Sequence, residues 1–275
     1  MGIVTISRQV GSYGDEIAAL AAQKLGYAHI DREHVHKLAQ TCDDQFRQAC
    51  QAYEAETKPH GFFERLAFSN PSHAALFASL NYELAQKGDV VMVGRGAQVV
   101  LSHLPGVLKV RVVAPSEVRV ERVARRMSLS LEDAQEFVRK FDHERRALLE
   151  AVFEYDLFDW KNFDLVINTA ALETEDAADM IVLAAQRLAP RYDQAKMSAV
   201  LGGLAFAKKV ESAVKKQVET LYSQDIVVTA DDQGVVVLRG LVADPRSKAL
   251  AGEAAAKVEG VTRVVNNLTT TQYSV

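Results

Sequence analysis

Val4-Thr5-Ile6-Ser7-Arg8-Gln9-Val10-Gly11-Ser12-Tyr13-Gly14-Asp15-Glu16-Ile17-Ala18 lies near the start of a 275-residue chain and decides how the rest is read. Ile3 to Ile6 make a short buried strand, two glycines make a turn, and a helix follows. In that helix Ile17, Leu20, Ala21 and Leu25 recur at helical spacing before Gly26 ends it. Strand, glycine turn and helix in this order form the layout of a phosphate-binding loop, in which amides at a helix N-terminus face an anion. The pattern G-x-x-x-x-G-K-[ST] is nevertheless absent. Gly14 stands where its lysine would be, and Glu16 stands in place of the magnesium-binding hydroxyl.

Further along, strand and helix signals alternate. Tyr27 to Ile30, Val90 to Val93, Val107 to Val113 and Asp164 to Asn168 read as short apolar strands. The intervening stretches Glu117 to Arg126, Leu131 to about Val152 and Thr174 to Leu188 read as helices, and Arg32 to Lys87 as a polar, mostly helical region. Near-continuous apolar strands separated by helices predict an α/β fold, a three-layer parallel sheet with helices on both faces. Ligands of such sheets sit beyond the carboxyl ends of the strands. Ser7-Arg8, Asp31 and Gly94-Arg95 each follow a strand there, so three polar segments converge on one edge. Trp160, Tyr155, Phe158 and Phe163 are expected in the core.

Composition narrows the function. A net charge of −4 excludes the basic field of a nonspecific nucleic-acid binder. Cys42 and Cys50 lie eight residues apart without a second Cys or His pair at ligand spacing, so no protein-bound metal is expected. No signal peptide and no apolar run of about 18 residues is visible, which makes the reducing cytoplasm the expected compartment. The seven histidines form no catalytic pattern.

A change in composition near Pro190 marks a boundary. Residues 1–190 are expected to form the nucleotide-binding domain, 191–203 a linker containing Gly202-Gly203, and 204–275 a small α+β module. In that module a helix from Phe206 is followed by Ile226 to Thr229, the turn Asp231-Asp232-Gln233-Gly234, and the strand Val235 to Gly240. A helix from Pro245 to Val258 and a strand from Val264 to Thr269 complete it. The turn between two β-branched runs is a hairpin signal.

Thr5-Ile6-Ser7-Arg8 with Gly11-Ser12 and Gly14, Leu25-Gly26-Tyr27, Asp31-Arg32, Val93-Gly94-Arg95-Gly96-Ala97, Asp142 with Arg145, and Asp164 to Thr169 occur in the order of the cytidylate-kinase-like family, which residues 1 to 190 resemble. The tail is similar to a BON domain, through Gly234 to Gly240, Ala249, Ala254 and Ala255, and Val258 to Leu268.

The first resemblance implies a P-loop nucleoside-monophosphate kinase that moves the γ-phosphoryl group of ATP, with Mg2+, to an acceptor nucleotide. Such transfer requires positioning and charge neutralisation more than covalent help. Gly11, Ser12, Tyr13 and Gly14 would cradle the donor phosphates, although Tyr13 occupies a position where the family's pattern has glycine. Arg8 is the nearest cation to replace the missing lysine; pairing with Asp15 or Glu16 is its other reading. Glu16 reads either as a magnesium ligand or as a helix-terminus carboxylate. Arg95 and Asp31 would bind the acceptor. Gly96 replaces the acid of the family's Gly-Arg-Asp segment, so one contact to the acceptor nucleoside is missing. Arg119, Arg122, Arg125 and Arg126 resemble the lid helix of monophosphate kinases, with Arg122 reaching the reacting phosphates. Arg145 would cover transition-state charge while Asp142 orients the acceptor; Val138 stands where active relatives have a further arginine.

By the second resemblance, the tail is a binding module without catalytic residues. Lys208, Lys209, Lys215 and Lys216 form either a solvated helix face or a strip for an anionic lipid or protein partner. Regulation and oligomer assembly are both open roles. Three functions follow: a nucleotide kinase, a catalytically inactive nucleotide sensor acting through the tail, or a structural module that binds no nucleotide.

Overall fold

The computed structural model describes residues 2–31, 71–94, 96–153, 155–218 and 225–271. By their contacts these fall into two compact units. One combines the described residues up to 31 with Lys87–Gln194; the other combines residues 71–86 with 195–271.

The first unit is built on five parallel strands in the order β2-β3-β1-β4-β5. They are β1 (Ile3–Arg8), β2 (Ala28–Ile30), β3 (Val90–Val93), β4 (Val107–Val113) and β5 (Leu165–Asn168). β1 is central because its apolar residues are buried on both faces, with Val4 paired to Val91 and Leu108. Side chains alternate across a strand, so Val4, Ile6, Val110 and Val112 share one face. They pack there against Ile17, Ala18 and Ala21 of α1 (Gly14–Leu25) and Ala177, Ala178 and Ile181 of α6 (Thr174–Leu188). Ser7 and Arg111, in register with each other, take the opposite face. Gly26 adopts φ +68 and returns its amide to Ala22 and Gln23, which ends α1 where the sequence placed its stop.

Two further helices bear on the site. α4 (Ser116–Met127) and α5 (Leu131–Phe153) form a pair held by Val123, Ala134 and Val138. Val138, at the position of the missing arginine, is therefore a core residue of this pair. A short helix, α3 (Ala97–Val100), follows β3.

In the second unit, α2 (Pro71–Gln86) lies antiparallel to α7 (Gln194–Gln217). The Ser79 hydroxyl donates to the Ala205 carbonyl at 2.8 Å, and the Ser72 and Ser212 hydroxyls lie 3.4 Å apart. Residues 194–203, expected as linker, are thus the opening turns of a 24-residue helix. Gly202 fits because its missing side chain leaves room for the Gln86 amide. Sequence boundaries treated 1–190 as continuous, whereas α2 groups with the tail; its serines supply the contacts that bring it there.

The tail forms a sheet of β6 (Val227–Ala230), β7 (Val235–Val242) and β8 (Arg263–Thr270), antiparallel then parallel, with α8 (Pro245–Ala256) crossing between the last two. Asp231 makes the hairpin by accepting the amides of Gln233 and Val235 at 3.0 and 2.8 Å. Val210, Val214 and Val218 close the core against Val236 and Leu238.

Two expectations for aromatic residues are corrected. Tyr155 and Phe163 are buried, but Phe158 and Trp160 are 61% and 71% exposed. They lie on a loop and a single 3-10 turn outside the sheet, where Arg146 covers Phe158 at 5.1 Å and Lys161 covers Trp160 at 5.9 Å.

Candidate active site

The turn between β1 and α1 is tight and closes on itself. The Ser12 amide and hydroxyl both donate to the Gln9 carbonyl, at 3.2 and 2.7 Å. Gly11 takes φ +77 against α4, where a Cβ would lie 2.8 Å from the Arg119 carbonyl oxygen; only glycine permits both the angle and the approach. Tyr13 also adopts the left-handed region, φ 61, as the residue preceding the helix. No side chain caps the first turn of α1, and Gly14, Asp15 and Glu16 of that turn line a cavity of about 360 Å³. An uncapped first turn presents free amides and a positive dipole end to whatever occupies the cavity.

Arg8 enters this cavity from the end of β1. Its Cβ and Cγ lie 2.3 and 2.7 Å from where a Cβ on Gly14 would sit. Its Nε donates to Asp15 Oδ1 at 2.9 Å, and its Nη1 reaches within 2.6 Å of where a Cβ on Gly94 would be. Arg145 of α5 brings its Nη2 to 3.4 Å from that same point. Two guanidinium groups from separate elements therefore converge over a glycine at the carboxyl end of β3. Arg126 also lines the cavity, 3.8 Å from Glu16. Asp31 and His29 also line the cavity.

Two of the remaining arginines of α4 are engaged with the protein itself. Arg119 is buried, with its Nε on the Ala114 carbonyl and two bonds to Asp142, 3.1 and 2.7 Å. Arg122 donates to the Thr169 hydroxyl and carbonyl at 2.9 and 2.7 Å and to the Gly11 carbonyl at 3.3 Å, while stacking on the Tyr13 ring at 4.1 Å. Both side chains staple α4 to the turn. Arg125 is exposed, and it does not line the cavity. Arg8, Gly11, Tyr13, Gly14, Asp31, Arg126 and Arg145 thus come together at the cavity; Ser12, Arg119, Arg122 and Asp142 support it from behind. Arg95 lies outside the described residues.

Two residues bear on the site that sequence reasoning passed over. Thr169, following β5, donates to the Ser12 carbonyl at 3.0 Å and accepts from Arg122, so it ties the far strand to the turn. Arg111 is buried in β4 and donates to the Ser7 hydroxyl at 2.6 Å. Burial, the nearby Arg145 charge and, to a smaller extent, Arg119 lower its pKa to about 10, against the opposing influence of Asp142 and Tyr155. A charge inside the apolar run Val107 to Val113 was the available signal.

Magnesium in phosphoryl transfer takes one or two protein carboxylates, with phosphate oxygens completing its shell. Asp15 and Glu16 are the carboxylates of the first turn of α1 that line the cavity; Asp15 is bonded to Arg8, and Glu16 lies 3.8 Å from Arg126. Among the described residues, no group of three acidic, His or Cys side chains could hold a metal unaided. No described helix is long and apolar enough to cross a membrane.

With the fold and cavity established, comparison with known proteins gives the class. The chain belongs to the cytidylate kinase-like family, whose profile matches residues 3–171, and a BON domain profile matches residues 205–272. Cytidylate kinase of Methanopyrus kandleri is 26% identical over 199 residues, covering 70% of this chain and 96% of its own length. Cytidylate kinase of Archaeoglobus fulgidus is 27% identical over 192 residues, covering 70% and 98%. A solved structure of an uncharacterized protein from Eubacterium ventriosum superposes with a TM-score of 0.50 at 20% identity, over 68% of this chain and 99% of that one.

Proposed function

We propose that the chain is a nucleoside-monophosphate kinase of the cytidylate type, which transfers the γ-phosphoryl group of ATP and carries a BON module for regulation or binding. The observation that carries this reading is the convergence of Arg8 and Arg145 over Gly94, beside the uncapped first turn of α1. Amides of that turn would hold the donor phosphates. Arg8, anchored through Asp15, would supply the positive charge that the absent lysine supplies elsewhere. Arg145 would meet charge developing on the transferred group from the α5 side, and Asp31 with Arg95 would bound the acceptor. Glu16 would hold Mg2+, which neutralises phosphate charge when bound. Arg126 would close the outer wall. The nucleotide domain is taken as residues 1–190 and the module as 204–275, in a cytoplasmic protein.

The tail's lysines support a protein or lipid partner less than their sequence suggested. Lys215 is buried and, like Lys208, pairs with Glu211, at 2.7 and 2.8 Å, which leaves Lys209 and Lys216 exposed.

A second reading, an inactive nucleotide sensor, is favoured by Arg119 and Arg122, whose donors are engaged with the protein itself. A coupled assay with ATP, Mg2+ and CMP, dCMP, UMP or AMP separates the two. Turnover that falls at least tenfold in Arg8→Ala and Arg145→Ala supports the kinase. Nucleotide binding by calorimetry without turnover selects the sensor, and absence of binding overturns both.

A further inference from the structure

Arg111 is a buried cation that makes no ion pair among the described residues. It is 6% exposed, and it donates a hydrogen bond to a neutral group, the Ser7 hydroxyl. Among the described residues no carboxylate lies within 4 Å of it; Asp142, the acid whose charge it feels, is held in two bonds by Arg119. Arg145 and, to a smaller extent, Arg119 also act on it, both of the same sign. Burying a guanidinium without an anion is unfavourable, because the charge leaves water without a compensating partner.

Beside it is a second unsatisfied group. Tyr155 is 8% exposed, and its hydroxyl is buried without a hydrogen-bond partner. Phe163 joins the two, with its ring centroid 5.9 Å from the Arg111 guanidinium carbon and 6.4 Å, edge to face, from the Tyr155 ring. The Arg111 charge acts on the Tyr155 hydroxyl, whose pKa burial nonetheless pushes up to about 12, so it stays a proton donor at neutral pH. A buried cation and a buried hydroxyl without a partner thus flank one ring, that of Phe163. Both are donors: the Tyr155 hydroxyl has no acceptor, and Arg111 donates to a neutral one, the Ser7 hydroxyl.

We propose that Arg111 and Tyr155, with Arg145, form a binding site for the phosphate-monoester oxyanion of the acceptor nucleotide. This assignment rests on the kinase reading for the identity of the acceptor. The site itself rests on the unsatisfied Tyr155 hydroxyl and on the buried Arg111 charge, which has a neutral partner. An oxyanion placed there accepts from the guanidinium and the phenol together, and it offsets the like charges of Arg111 and Arg145. Arg111 is then a residue that binds substrate, held in orientation by Ser7 and by the Phe163 ring.

The test uses the full chain and inorganic phosphate as probe, with chloride at equal ionic strength as control. Wild type should gain thermal stability as phosphate is added, saturably. Arg111→Met should melt at or above wild type without phosphate, because an unpaired buried charge is gone, and should lose the phosphate response. Tyr155→Phe should fold as wild type and weaken phosphate binding by about tenfold, the value of a hydrogen bond to a charged acceptor. CMP binding should weaken in both variants while the KM for ATP stays unchanged. A wild-type phosphate response in Arg111→Met, or an unchanged phosphate affinity in Tyr155→Phe, overturns the site. Should Arg111→Met fail to fold, Tyr155→Phe decides alone. Phosphate binding that depends on both residues while CMP binding does not overturns the acceptor assignment. Variant-sensitive binding of phosphate and CMP with no turnover in wild type would instead sink the kinase reading and leave the site standing.

Discussion

Arg8 occupies the space that a side chain at Gly14 would need, its Cβ lying 2.3 Å from where the Gly14 Cβ would be. The absent lysine and the arginine one strand earlier are therefore one feature. The loop has room for a long cation from the strand or from the helix, but not from both. Gly14→Lys consequently should not restore a lysine loop. It should displace Arg8 from Asp15, destabilise the protein by about 1–3 kcal/mol through overpacking, and weaken ATP binding in calorimetry. Combining it with Arg8→Ala should recover the stability. A single Gly14→Lys variant that binds ATP more tightly at unchanged Tm would show that the two side chains do not compete.

Tyr13 holds a left-handed backbone angle where the family's pattern has glycine, and its ring lies under Arg122 at 4.1 Å. Tyr13→Gly removes roughly 1 kcal/mol of backbone strain. It also removes a cation–π contact of about 1 kcal/mol and the ring's packing against the sheet core, which is worth more. The net expectation is a loss of about 1–2 kcal/mol in chemical denaturation. Nucleotide affinity should rise or hold, because the wall of the cavity retreats and Arg122 is freed from the ring. A fall in affinity would instead assign Tyr13 to stacking on the nucleotide.

Asp142 grips Arg119 with both oxygens, and Arg119 is 4% exposed. If this clamp is structural, Asp142→Ala strands a buried guanidinium and costs about 2–4 kcal/mol, somewhat reduced because the aspartate is partly exposed. Arg119→Met should cost less, and the double variant less than the sum, with a coupling of about 1–3 kcal/mol. Were Asp142 reserved for the acceptor, Asp142→Ala would raise the acceptor KM and leave Tm untouched. Thermal unfolding and acceptor kinetics on the same three variants separate the two outcomes.

How far the chain could be read in advance depended on whether a feature was local. Strands of the first unit are apolar runs such as Val90 to Val93, and their type and order follow from burial on both faces. The stop of α1 is written in Gly26, and the tail hairpin in Asp231 and Gly234. What escaped was pairing at a distance. Three arginines spaced every third residue share a helix face, but spacing cannot say that Arg119 meets Asp142 or that Arg122 meets Thr169, 47 residues away. Nor does a mixed stretch such as 194–203 reveal that α2 waits to pack against the helix it begins. Aromatic content alone misplaced Phe158 and Trp160, because a ring covered by Arg146 or Lys161 can stay outside the core.

In the tail, Asp244 caps α8 by accepting the Ser247 amide at 2.7 Å, and that bond, ahead of smaller hydrogen bonds and the Arg246 charge, lowers its pKa below the ordinary 3.8. A carboxylate whose folded pKa is depressed stabilises the fold above its unfolded pKa, and that stabilisation is lost as pH falls through the folded value. The amides that open α8, from Arg246 to Lys248, should therefore exchange with solvent faster as pH drops below 3.8, after correction for intrinsic rates. Asp244→Asn keeps a capping oxygen and should show near wild-type protection at neutral pH, but without that acid-induced opening. Asp244→Ala should lower the Tm of the full chain and expose those amides at every pH. Equal protection in all three proteins between pH 3 and pH 7 would mean that Pro245 at the first helical position starts α8 without help from the aspartate.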